Sequence, residues 1–193
     1  ALEKMVTADT VLLTAMLVNN EIGSIQPIAK MAKILKKKNP RAVFHVDAVQ
    51  GYGKVLCDVR ELGVDLLSIS GHKIHGPKGI GVLYIKKGTK IAPILYGGGQ
   101  QDNLRSGTEN VPGIAGLGLA AEICHKNMKE SVPKMERLRR RLEQGIVDNI
   151  PDVRINTPGE CAPHILNVSF GGVRSEVVLH SLETEGIYVS SGS

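Results

Sequence analysis

The chain has 193 residues, 42% hydrophobic and 22% charged, with 22 glycines, no Trp and a net charge of +5, the balance of a folded globular chain holding one domain, or a domain and part of another, which excludes a disordered segment. The basic residues gather in Lys36-Lys37-Lys38 and around Arg137, Arg139, Arg140 and Arg141. Both runs sit in helical patterns without interleaved aromatics, so they read as solvated helix faces and no nucleic-acid partner is expected. No basic-then-apolar leader opens the sequence and no apolar run reaches the ~20 residues a membrane helix needs, so no membrane partner is expected either. Cys57, Cys124 and Cys161 are odd in number and widely spaced, which suits free thiols in a reducing, cytoplasmic compartment.

Along the chain, residues 11–18 form a continuous apolar run, the pattern of a strand buried on both faces of a parallel sheet. Asn19, Asn20, Glu21 and Gly23 break it, and Pro27 opens a helical pattern through Ile28, Met31, Ile34 and Leu35 that ends near Asn39-Pro40. Strands are expected over 42–47, 64–70 and 81–86. Strand, helix, strand at this spacing is a β-α-β unit, so the fold class is α/β with a mostly parallel sheet flanked by helices. Residues 97–108 read as a Gly-rich loop, and 111–149 as helix interrupted near Pro133. That places a domain boundary between 1–132 and 133–193. The second part, with strands over 165–170 and 187–190 and a helix over 175–185, reads as the start of a smaller α+β C-terminal domain. The sequence opens on Ala1 without Met and closes in a Ser/Gly stretch after Val189; both ends read as internal.

In open α/β sheets ligands bind outside the carboxyl ends of the strands. The residues that close the expected strands are Asn20, then Asp47 and Gln50, then Ser70, His72 and Lys73. An acid, amides, a hydroxyl, an imidazole and a lysine at one sheet edge match the needs of pyridoxal 5'-phosphate: the lysine supplies a Schiff base and the acid keeps the pyridine nitrogen protonated.

Four separated motifs, Val18-Asn-Asn-Glu-Ile-Gly23, His45-Val-Asp-Ala-Val-Gln50, Ser70-Gly-His-Lys-Ile-His-Gly-Pro-Lys-Gly79 and Arg105-Ser-Gly-Thr108, occur in an order that resembles the NifS/IscS-type cysteine desulfurases. These belong to the class V aminotransferase-like enzymes of the fold type I pyridoxal-phosphate transferases. The resemblance implies that Lys73 carries the cofactor, that Asp47 faces its pyridine nitrogen, and that Asn20 and Gln50 bond near its phenolic oxygen. It further implies that Ser70 and His72 hold the phosphate, while Thr108 reaches the phosphate of a neighbouring subunit in a homodimer. The implied reaction takes L-cysteine to L-alanine and delivers sulfur as a persulfide to an acceptor such as an Fe-S scaffold protein. The family's nucleophilic Cys follows a segment like Val189-Ser-Ser-Gly-Ser193, and Cys57, Cys124 and Cys161 match no such position. The 193 residues alone are therefore expected to be inactive, stopping short of the catalytic Cys loop and lacking the family's N-terminal cofactor contacts.

Plainer roles compete at each position. Asp47 at a strand end also suits a capping residue, and Gln50 three residues on suits a capping box. His72 and His75 form an H-x-x-H pair, but Lys73 between them and the lack of a third nearby ligand argue against a metal. His45 is expected in the sheet core, and Cys124 and Cys161 as structural thiols. The competing functions are a selenocysteine lyase, a class V aminotransferase, or a non-catalytic fragment that binds a partner.

Overall fold

The structure is a computed structural model that describes residues 1–191. The chain forms two compact units, Ala1–Leu17 with Gln26–Met128, and Val18–Ile25 with the residues from Lys129 onward.

The first unit is built on a sheet of β1 (Leu12–Met16), β2 (Val43–Asp47), β3 (Leu66–Ser70) and β4 (Gly81–Ile85), in the order β1-β2-β3-β4. The first three run parallel and β4 returns antiparallel to β3. Between β1 and β2 lies α2 (Ile28–Lys38), preceded near the N-terminus by the short α1 (Leu2–Met5). Alternation in β2 shows why the sheet forms. Phe44 and Val46 are fully buried, while Val43, His45 and Asp47 on the other face are half-buried. Along α2 the buried residues are Ile28, Ala32 and Leu35, a helical i, i+4, i+7 stripe.

A buried acid ties this core together. Asp65, just before β3, accepts from the Phe44 amide at 2.9 Å and from Lys36 Nζ at 2.7 Å, with Lys86 Nζ at 3.8 Å. Lys36 therefore does not belong to a purely solvated face: its ammonium turns inward and also donates to the Ala42 carbonyl.

The expectation of a doubly buried first strand is corrected. Among the described residues β1 pairs with β2 alone, and its faces are not both covered: Val11 and Leu12 are exposed, and no residue of the strand itself is fully buried. His45 is likewise not sealed in the core. Its ring bridges Thr14 Oγ1 at 2.7 Å and Ser68 Oγ at 2.9 Å, linking three adjacent strands.

After β2 the chain makes a tight turn over 48–55 and a one-turn helix, α3 (Val59–Leu62), capped by the Asp58 carboxylate. Helix α4 (Val111–Asn149) runs unbroken through Pro133, where an interruption was expected. Pro133 is exposed, and its fixed φ is a helical one, so the cost is limited to a missing amide donor and local crowding of the preceding turn.

In the second unit, β5 (Val153–Ile155) pairs antiparallel with β6 (Val168–Phe170), followed by α5 (Ser175–Thr184). Strand β5, three residues long, gave no periodic signal. Residues 187–190, expected as a strand, are irregular; they have no strand partner among the described residues, and Tyr188 is exposed. Here side-chain amides do much of the joining. Asn156 Nδ2 donates to Asn167 Oδ1 and Ser169 Oγ, the Asn167 backbone N–H donates to Thr157 Oγ1, and Asn167 Nδ2 reaches the Glu21 carbonyl.

Candidate functional site

The parallel strands of the first unit end together, because β2 pairs in register with both neighbours: Met16 lies opposite Asp47, and Asp47 opposite Ser68. Ser70, closing β3, lies opposite Gly81, the first residue of β4. Asp47, Ser68 and Ser70 thus share one end of the sheet, and their period-2 spacing puts them on one face with His45 and Thr14.

Asp47 sits half-buried at the end of β2, where its Oδ1 accepts from the Val49 amide at 2.9 Å. No helix follows Asp47, so this bond closes an Asx-type turn rather than capping a helix, and it occupies one oxygen of the two. Gln50 does not complete a capping box. It stands half-buried at the bend of a turn closed by backbone bonds from Gly51 and Tyr52 to the Ala48 carbonyl.

From Ser70 the chain passes straight into a 3₁₀ turn, Gly71–Ile74, which carries His72 and Lys73 on its exposed side and buries Gly71 and Ile74 beneath. Ser70 Oγ and His72 Nδ1 are 2.8 Å apart, so a hydroxyl and an imidazole are already paired next to the lysine. His75 ends the turn in the left-handed conformation at φ 64, its amide returning to the Gly71 carbonyl. Gly71 has no room for a side chain: a Cβ there would stand 2.9 Å from Ile80 Cγ2 and 3.1 Å from the Pro77 carbonyl oxygen.

Two features of this region carried no sequence signal. Lys54, in the turn after β2, is half-buried and donates to the Lys73 carbonyl at 3.0 Å. Burial pushes its pKa below the ordinary lysine value, with Cys124 opposing that shift and Lys73 adding to it. The neighbouring Tyr52 hydroxyl is pushed up by burial, then by Cys124 and Cys57.

The second feature is a row of small residues along the first half of α4. Gly116 lies under Pro77, Ala120 under Gly76 and Cys124 under Gly53: a Cβ on Gly116 would come within 2.7 Å of Pro77 Cγ, one on Gly76 within 3.3 Å of Ala120 Cβ, and one on Gly53 within 2.1 Å of Cys124 Sγ. Cys124 also donates weakly to the Gly53 carbonyl at 3.8 Å. At i, i+4, i+8 these residues form one helix stripe, and it seats both the chain leaving Lys73 and the turn bearing Lys54. Reading Cys124 as structural agrees with this packing.

The remaining expected residues lie elsewhere. Thr108 is exposed at the end of the loop over 97–108, in which Gln101, Asp102 and Asn103 all adopt positive φ. Asn20 belongs to the second unit, where its amide donates to Glu21 Oε1 at 3.0 Å. Burial raises the pKa of the Cys57 thiol, with Asp58 adding to it. Burial is also the leading cause at Cys161, where Arg139 opposes and Glu143 reinforces the rise.

The class-V aminotransferase family model matches residues 1–193. A cysteine desulfurase IscS of Clostridium botulinum is 45% identical over 195 residues, covering 100% of this chain and 49% of that protein. One of the same name from Dictyoglomus turgidum is 46% identical over 193 residues and is covered over 48% of its length. A solved NifS-like protein superposes with a TM-score of 0.93 at 46% identity, over 98% of this chain and 52% of that one. The chain thus spans about half the length of the curated relatives it matches.

Proposed function

Because the chain belongs to the class-V aminotransferase family, whose cofactor is pyridoxal phosphate, we propose that it forms part of a cysteine desulfurase in which Lys73 holds that cofactor. The observation that carries the reading is the turn Gly71–Ile74, which presents Lys73 and a preformed Ser70–His72 pair at the end of the sheet where Asp47 closes the adjacent strand.

The chemistry of the donor set supports the fit. Bound pyridoxal phosphate supplies an electron sink for the substrate's α-carbon. Asp47 keeps one carboxylate oxygen free of the Val49 amide and would hold a proton on the pyridine nitrogen. Ser70 and His72 would donate to the phosphate, and Gln50 and Asn20 to the ring's oxygen. Lys73 is the anchoring amine and the base best placed to move protons at the substrate. Thr108 would serve the phosphate of a second subunit, which makes the protein a homodimer in this reading. Residues 1–132 would then be part of the large domain and 133–193 the start of the small one.

The net reaction is L-cysteine plus an enzyme thiol giving L-alanine plus an enzyme persulfide, passed in the cytoplasm to an acceptor of the Fe-S scaffold kind. Burial raises the pKa of Cys57 and Cys161. Both stay as thiols at neutral pH and are poor candidates for the sulfur-accepting nucleophile.

The test is spectroscopic. Titrating the protein with pyridoxal phosphate should produce the visible band of a lysine-linked cofactor, and Lys73→Ala should abolish it. A band that survives Lys73→Ala overturns the assignment. Alanine and sulfide released from L-cysteine identify the desulfurase, whereas turnover of selenocysteine alone would identify a selenocysteine lyase, and transamination a class V aminotransferase.

A further inference from the structure

We propose that Lys54 is a positioning residue for Lys73: its ammonium caps the Lys73 carbonyl and so ties the lysine-bearing turn to the turn that follows Asp47 and Gln50. The proposal rests on the reading of Lys73 as the cofactor lysine, but the contact behind it does not. The last carbonyls of a helical turn have no partner within the turn, and a lysine near that end can satisfy them. In the turn Gly71–Ile74 the His75 and Gly76 amides both return to the Gly71 carbonyl. The Lys73 carbonyl is met instead by Lys54 Nζ at 3.0 Å.

Three observations set this contact apart from a chance surface bond. Lys54 is half-buried, and withdrawing an ammonium from water is costly unless it is met by acceptors. Its other acceptor, the Tyr52 carbonyl, is at the limit of reach at 3.5 Å, so the Lys73 carbonyl is its principal partner. The base of the Lys54 side chain is also fixed. Its turn is closed by backbone bonds from Lys54 and Val55 to the Gly51 carbonyl, and it is wedged where a Cβ on Gly51 would meet Leu17 Cδ2 at 2.6 Å and one on Gly53 would meet Cys124 Sγ at 2.1 Å. An anchor with a rigid base, reaching the main chain of Lys73, sets how that residue stands relative to the strand end that holds Asp47.

The test compares Lys54→Met, Lys54→Gln and Lys54→Arg with the unaltered protein by two readouts. The first is amide hydrogen exchange without cofactor. Lys54→Met should speed exchange across residues 71–76 by about tenfold, the scale of one charge-assisted hydrogen bond, and leave the β5 and β6 amides unchanged. The second is the dissociation constant for pyridoxal phosphate, which should rise about tenfold in Lys54→Met and stay within about threefold in Lys54→Arg. Lys54→Gln, the milder change, should fall between, and it carries the test if the Met variant does not fold.

Unaltered exchange over 71–76 overturns the proposal, as does a rise of equal size in every segment, which would mark a general loss of stability. Loss of affinity in Lys54→Arg equal to that in Lys54→Met overturns it too. Lys73→Ala, measured alongside, separates the two ideas. If it retains the visible band, the cofactor assignment fails while the exchange data still judge the tether.

Discussion

In the first unit, three parallel strands bury Phe44, Val46 and Leu67, with Leu35 of α2 buried in the same unit, and nearly every candidate site residue hangs from the strand ends. In the second, two strands of three residues pair through their backbones, and the side-chain amides of Asn156 and Asn167 extend that pairing. Truncating a side chain of an apolar core leaves a cavity and costs several kcal/mol, whereas a polar network depends on every member having its partner. The difference teaches where a rigid site can be built. Most candidate site residues are carried at the ends of the sheet, and the polar unit is expected to open locally at lower free energy.

The sharpest way to break this contrast is Asp65→Ala. The acid is almost fully buried and serves the Phe44 amide and Lys36 at once, so its loss should cost about 3–4 kcal/mol, within the range for unpairing a buried ion pair. Urea denaturation measures this, and a loss under about 1 kcal/mol would mean the first unit does not depend on that link. Asn167→Ala should cost less, about 1–2 kcal/mol for two lost side-chain bonds. Its effect should appear as faster amide exchange over 153–157 and 167–170, with 43–47 and 66–70 unmoved. Equal acceleration in both units would show that they open as one.

The smallest effect is expected at Asp58, which caps α3. The Arg60 amide, followed by its guanidinium, holds the Asp58 carboxyl below the usual carboxylate range. A depressed folded-state pKa contributes stability that is complete above the unfolded value of about 4 and disappears as pH falls through the lowered folded value. The unaltered protein and Asp58→Ala should therefore differ in melting temperature near neutral pH and converge in acid. A gap that persists in acid would remove the carboxylate as its cause.

Much of the first unit was legible from residue pattern alone. The strands ending at Asp47 and Ser70 and the helix from Ile28 followed from periodicity, as did the place of Lys73 just beyond the third strand. What escaped depends on neighbours that sequence does not display. β1 reads as buried on both faces because its composition is apolar throughout, yet what covers each face is a property of the packing. Pro133 reads as a break because proline lacks a donor, but on an exposed helix face the rest of the turn carries the helix through. The 187–190 segment has strand-forming residues without a strand to pair with. Lys54 escaped because its partner is a backbone carbonyl nineteen positions away, and no spacing rule connects a lysine to a carbonyl. The signal that could have found it is topological: two turns leaving adjacent parallel strands must lie side by side.

The row of small residues on α4 works as a gauge. Gly116 must be bare because Pro77 occupies the space of its missing side chain, so the methyl of Ala120 cannot take its place. A slip of the helix by one turn, about 5.4 Å, would drive that methyl into the proline ring, and a slip the other way would bring the ring of Pro112 against it. The two turns therefore meet α4 in a single permitted alignment, with Gly116 and Cys124 about 12 Å apart along its axis. The helix thus acts as a ruler for the separation between the segment that follows Asp47 and the segment that follows Lys73.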